Sequence, residues 1–190
     1  MPNYSFEESL RAHDAAIQKL FDERMINQFE NLAEAIVSSI KEGGKLVVFG
    51  NGGSAAEASH FATELVSRCS KDHNPWPAIS LTDSSSNLTA IGNDYGFEKV
   101  FSRQIDAIAN EQDCIIAFST SGKSPNVIEG LNFAIKKTSK SFLITGSEYF
   151  HDSSHSWKYI SMPSNKTTVI QELHLWLIHA LSEYCESNLI

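Results

Sequence analysis

His60 and Glu64 stand four residues apart in the run SHFATEL, so on a helix both leave one face, one turn apart. An imidazole and a carboxylate at that spacing can pass protons to a substrate or hold one divalent ion between them. A second chemically competent set lies near the C-terminus, in IQELHLWLIH, where Gln171, Glu172, His174 and His179 sit among apolar residues. Gln171 and His179 would project within about 80° of each other around a helix. A histidine alone in an apolar helix is ordinarily a satisfied core residue. Two helices that each carry such a set change that expectation. If they face one another, His60, Glu64, Gln171 and His179 close a site of two imidazoles, a carboxylate and an amide, which suits Zn2+ or another divalent transition metal.

A third feature precedes His60. The apolar run Leu46–Phe49 has the composition of a buried parallel strand, and it enters Gly50-Asn51-Gly52-Gly53-Ser54. Glycines there permit a tight turn and close backbone approach to a ligand. A helix from Ala55 onward would point its free N–H groups and positive dipole end at that turn, an arrangement that binds anions, phosphate above all. The run Ser119-Thr120-Ser121-Gly122-Lys123-Ser124-Pro125 repeats the logic with hydroxyls. Ser124 can cap a helix that begins at Pro125. Either loop alone also fits an ordinary capped connection. Two of them at strand C-terminal ends, where open α/β sheets bind ligands, favour a phosphate grip.

Two nucleotide motifs are excluded or demoted. Gly122-Lys123-Ser124 resembles the tail of a Walker A loop, but the glycine that loop needs five residues earlier is Ala117. Gly50 to Ala55 fits the dinucleotide pattern GxGxxA, yet the first acidic residue that could hold a ribose, Asp83, lies too far on, beyond a proline-bearing loop. The dinucleotide reading therefore ranks behind the phosphate-grip one.

The elements that must hold these residues alternate. Residues 5–21 carry Phe6, Leu10, Ile17, Leu20 and Phe21 at helical period, and a second amphipathic helix carries Ile26, Phe29, Leu32, Ile36 and Ile40 before Gly43-Gly44 stops it. Beyond the opening strand, strands are expected at 78–81, 113–118, 141–146 and 158–162. Helices are expected at 97–109, 125–137 and 167–187, with a short helix or turn at 84–91 that ends in Gly92-Asn93-Asp94-Tyr95-Gly96. This alternation predicts a three-layer αβα sandwich on a five-stranded parallel sheet, one domain over 1–190, with two N-terminal helices ahead of it. A minimal α/β unit has no need of residues 1–44, and these either pack on a neighbour or partner subunit or simply cap the sheet, the first being the expectation adopted for oligomer packing.

A formal charge of −8 without a Lys/Arg cluster argues against nucleic-acid binding. No apolar run reaches the ~20 residues of a membrane span, and the first residues lack a signal-peptide layout. Cys69, Cys114 and Cys185 are odd in number and far apart, so reduced thiols in a cytoplasmic protein are expected rather than disulfides or a zinc finger.

FGNGGSAAEASHFATEL, IGNDYGFEKVFSRQI, STSGKSPNV, ITG and IQELHLWLIH, taken in this order, resemble the bacterial phosphoheptose isomerases of the sugar isomerase (SIS) superfamily. The resemblance covers nearly the whole chain. It implies a homotetramer with active sites between subunits and one Zn2+ per subunit. The implied reaction is aldose–ketose isomerisation of sedoheptulose 7-phosphate to D-glycero-D-manno-heptose 7-phosphate, the first step towards ADP-heptose for lipopolysaccharide or capsule. It further implies substrate contacts at Asn51, Gly52, Gly53, Glu64, Asn93, Asp94, Ser119, Thr120, Ser121, Ser124 and Gln171. Glu64 and His179 take the catalytic positions, and His60, Glu64, Gln171 and His179 the metal positions. Departures from the family's common pattern fall at Cys69, Thr168 and Val169. Two alternatives stand beside this reading: a non-catalytic relative that binds a replication-initiator protein, and an isomerase of another phosphosugar.

Overall fold

The computed structural model describes residues 5–149 and 155–190. Its sheet has five parallel strands in the order β2-β1-β3-β4-β5, formed by β1 (Leu46–Gly50), β2 (Ala78–Ser80), β3 (Cys114–Ser119), β4 (Ser141–Gly146) and β5 (Lys158–Met162). The chain moves outward from β1 to β2, then returns to lay β3 on the other side of β1. Strand order thus reverses between β1 and β3, and that reversal opens a crevice at the C-terminal ends of these two strands.

Alternation along the strands divides the apolar residues between two cores. Leu46, Val48, Cys114, Ile116, Phe118, Phe142 and Ile144 face one side, where they meet α2 (Glu23–Lys41), α3 (Gly53–Val66) and α7 (Thr167–Leu189). Val47, Phe49, Ile115, Ala117 and Leu143 face the other, against α5 (Ser102–Ile108) and α6 (Pro125–Lys137). Phe49 and Phe118 are fully buried, one in each core. Burial on both faces is why β1, β3 and β4 read as unbroken apolar runs.

The expected three layers and five parallel strands are present. Two local expectations need correction. The stretch Gly92–Tyr95 is not a turn: α4 runs from Ser85 to Tyr95 and ends at Gly96, which has φ 89°. Ser84 caps α4 through its hydroxyl, which accepts from Asn87 N–H at 3.2 Å, and that favourable start lets the helix run through Gly92. Residues 97–109 do not form one helix. A 3-10 turn over Phe97–Lys99 precedes the short α5, because Phe97 stays exposed while Val100, Phe101 and Ile105 turn inward under the sheet. The apolar face of α1 (Phe6–Gln18) is largely uncovered: Phe6 is 79% exposed and Leu10 71%, as is Phe21 at 73% in the following turn.

Candidate active site

The crevice between β1 and β3 is built from the two loops singled out in the sequence. After β1 the chain turns at Gly52, whose φ of 55° suits glycine, and starts α3 at Gly53. After β3, Gly122 at φ 63° makes the second turn. A Cβ there would lie 2.9 Å from Thr145 Oγ1 and within the ring of Tyr149, so the loop closes down on its neighbours only because the side chain is absent. Asn51 and Asn126 exchange two amide hydrogen bonds, each 2.8 Å, and so tie the loops together across the strand reversal. Asn126 was not singled out in the sequence. The signal available was a polar residue in the first turn of a helix, which is too common to be informative.

Inside the second loop, Ser119 Oγ accepts from Gly122 N–H and Ser121 Oγ from Lys123 N–H, each at 3.2 Å. Ser119 is nearly buried, whereas Ser121 is exposed. Ser124 occupies the N-cap of α6 as expected, yet its hydroxyl makes no capping bond, and α6 begins at Pro125. A free cap hydroxyl beside a positive helix end is well placed for an anion.

Helices α3 and α7 both start at this end of the sheet and run down it side by side. The imidazoles of His60 and His179 meet, Nε2 to Nε2, at 2.9 Å, and their rings stand edge to face at 83°. Glu64 Oε1 lies 3.5 Å from His60 Nε2. Ligand atoms of the three residues all fall within 4.8 Å of one another. Tetrahedral zinc with nitrogen and oxygen ligands at ~2.0–2.2 Å sets neighbouring donors roughly 3.3–3.5 Å apart, so this donor set fits such an ion. Cys69 adds a contact absent from the sequence reading. Burial, then the neighbouring Glu64 carboxylate, pushes the thiol up to about 11. Cys114 and Cys185 are buried free thiols whose titration burial also pushes up.

Gln171 sits higher in the groove. Its amide lies over Gly53, where a Cβ would collide with Nε2. Eight residues of helix, about 12 Å, separate its backbone from that of His179. The amide therefore occupies the loop end of the α3–α7 groove, and the imidazole pair and Glu64 lie further down. Asn93 and Asp94 are exposed in the last turn of α4, with Asn93 Nδ2 donating to Asp94 Oδ1 at 2.7 Å.

An αβα sandwich whose anion loops flank a strand reversal, with an imidazole–carboxylate cluster beside them, has the architecture of sugar-phosphate isomerase domains. Residues 11–146 match the SIS domain family. The chain is 44% identical over 170 residues to the phosphoheptose isomerase of Burkholderia pseudomallei (strain K96243), covering 90% of this chain and 86% of that one. It is 40% identical over 182 residues to phosphoheptose isomerase 1 of Campylobacter jejuni, covering 96% and 97%. Among solved structures, the phosphoheptose isomerase of Neisseria gonorrhoeae superposes with a TM-score of 0.79 at 36% identity, over 96% of this chain and 95% of that one. The chain belongs to the phosphoheptose isomerase family of SIS-domain proteins.

Proposed function

We propose that this protein interconverts sedoheptulose 7-phosphate and D-glycero-D-manno-heptose 7-phosphate through an enediol. The observation that carries this reading is the convergence of Glu64, His60 and His179 in one groove beside two phosphate-type loops. Serine and threonine hydroxyls at 119–124 and the α6 N-terminus grip the phosphate. Asn51, Gly52 and Gly53 line the path of the chain, and Asn93 and Asp94 contact sugar hydroxyls. Holding the phosphate at one end fixes the reacting carbons at the other, so that much of the entropic cost of alignment is met by binding. Glu64 takes the proton from one of the two reacting carbons and returns it to the other. His179 moves the accompanying proton between the oxygens.

His60, Glu64 and His179 would hold one Zn2+ per subunit, with Gln171 completing the set by swinging down from Gly53. When bound, the ion supplies Lewis-acid polarisation of the carbonyl. The α1 and α2 segment over residues 1–44 packs a homotetramer, and the product feeds nucleotide-activated heptose synthesis in the cytoplasm. The test is turnover of a panel of five- to seven-carbon phosphosugars by the zinc-loaded protein. Sedoheptulose 7-phosphate is expected to be the best substrate. Glu64→Gln is expected to lower kcat by 1,000-fold or more, on the order of what loss of a proton-transfer group costs, while leaving the oligomer intact. No turnover of any of these sugars, with tight binding of a replication-initiator protein, would establish the regulator instead.

A further inference from the structure

Two buried carboxylates flank the His60–Glu64–His179 cluster, and neither has a part in the chemistry above. On the loop side, Glu57 lies one turn before His60, and its Oε2 is 3.2 Å from Nδ1 of the fully buried His174 on α7. On the far side stands Glu186, two turns beyond His179 on α7 and 2% exposed. Its Oε1 accepts from the backbone N–H groups of Cys69, Ser70 and Lys71 at 2.9, 2.9 and 3.0 Å, and Oε2 accepts again from Ser70 at 3.2 Å. Ser70 Oγ also donates to Glu183 Oε1 at 3.0 Å, and His73 Nε2 lies 3.8 Å from Glu186.

The three N–H donors belong to the segment that leaves α3 just after Glu64. Successive backbone N–H groups aimed at one point form an anion nest. Here the anion comes from the neighbouring helix of the same chain. Burying a carboxylate is costly unless such bonds compensate it, and an apolar side chain would fill the space at less cost. What the carboxylate adds is direction. Apolar packing between two helices tolerates small slides along their axes, whereas four short charge-assisted bonds do not. An ion or proton-transfer site needs its groups held within about 0.5 Å. The connection is also short: Cys69, which gives its N–H to Glu186, stands five residues beyond Glu64 in the segment that leaves α3.

We infer that Glu186 is a positioning residue for this site: it locks the C-terminal end of α3 in register with α7, so that His60 and Glu64 face His179. Glu57 with His174 holds the same two helices at the other end. This inference rests on the isomerase reading for its kinetic consequences, but not for its geometric one.

The test compares Glu186→Gln with Ile105→Ala, a truncation in the other core chosen to lower the thermal midpoint without touching either helix. Three quantities are read: zinc affinity of the metal-stripped protein by chelator competition, kcat and KM for sedoheptulose 7-phosphate, and the His60–His179 Nε2 separation in a crystal structure. Glu186→Gln is expected to weaken zinc about tenfold or more, as loss of supporting contacts around metal ligands does. It is expected to lower kcat by a similar factor with KM within about twofold, and to widen the 2.9 Å histidine separation. Ile105→Ala is expected to match its thermal loss and change none of these. Glu186→Asp, which keeps the charge, is expected to recover part of the zinc affinity. Wild-type zinc affinity, kcat and histidine separation in Glu186→Gln would overturn the inference. A wild-type protein without isomerase activity would overturn the function alone, because the histidine separation is measured without substrate.

Discussion

At the residue scale, the side chains divide into those that touch substrate and those that hold them. In the proposed reading Ser121 and Ser124 belong to the first group, since one is exposed and the other makes no capping bond at the helix N-cap. Ser121→Ala combined with Ser124→Ala is expected to raise KM for the phosphosugar by about tenfold with kcat nearly unchanged, because a grip distant from the reacting carbons contributes mostly uniform binding. Steady-state kinetics check this, and an unchanged KM would mean that the loop only caps α6. Glu186 belongs to the second group. Burial pushes its carboxyl up, but the N–H groups of Lys71, Ser70 and Cys69 outweigh that and hold it below the ordinary value of 4.5. A carboxyl lowered in the folded state adds stability that is fully present above its unfolded value and is lost as pH falls through the folded one. The thermal midpoint of the wild type is therefore expected to drop more steeply below pH 4.5 than that of Glu186→Gln, in unfolding curves taken across that range. Parallel curves would refute the assignment.

At the scale of elements, the site depends on how closely α7 approaches the start of α3. Gly53 is where they touch, because the Gln171 amide fills the space a Cβ would need. Gly53→Ala is expected to fold with its thermal midpoint little changed or slightly raised. A side-chain amide can move aside, and alanine is the better helix former by up to about 1 kcal/mol. Moving Gln171 is nonetheless expected to lower kcat/KM on the order of tenfold or more, since small displacements of positioning groups are costly. A combined unfolding and kinetic measurement separates the two effects, and full activity would remove Gln171 from the site. The same scale explains why the last turn of α4 escaped the sequence reading. Glycine at 92 and the polar run after it read as a turn, but the Ser84 cap and the helix it starts carry through to Tyr95.

At the scale of the whole molecule, the N-terminal helices carry several of the most exposed large apolar side chains among the described residues. Phe6, Leu10 and Phe21 are each more than two-thirds exposed, and Ile17, Ile26 and Trp176 are partly so. Apolar residues concentrated on one side of a protomer mark an interaction surface. Phe6→Ser with Phe21→Ser is expected to shift the sedimentation profile from the proposed tetramer towards smaller species at micromolar protein, and an unchanged profile would place the subunit contact elsewhere. Among the described residues, no helix is long and apolar enough to cross a membrane.

The sequence by itself determined the parallel sheet and its connecting helices, because strands buried on both faces must be apolar throughout and helices must keep their period. It also marked both anion loops and the His60–Glu64 and Gln171–His179 pairs, because the chemistry restricts which residue types can stand there and at what spacing. Only the tertiary structure decided that His179 meets His60 while Gln171 lies against Gly53, since the offset between two distant helices is set by packing and not by spacing along either one. The bracing contacts were illegible for the same reason. Glu57, His174, Cys69, Asn126 and Glu186 are ordinary polar residues in sequence, and their roles come from partners that are 75 or more residues away in all but the Cys69–Glu64 contact.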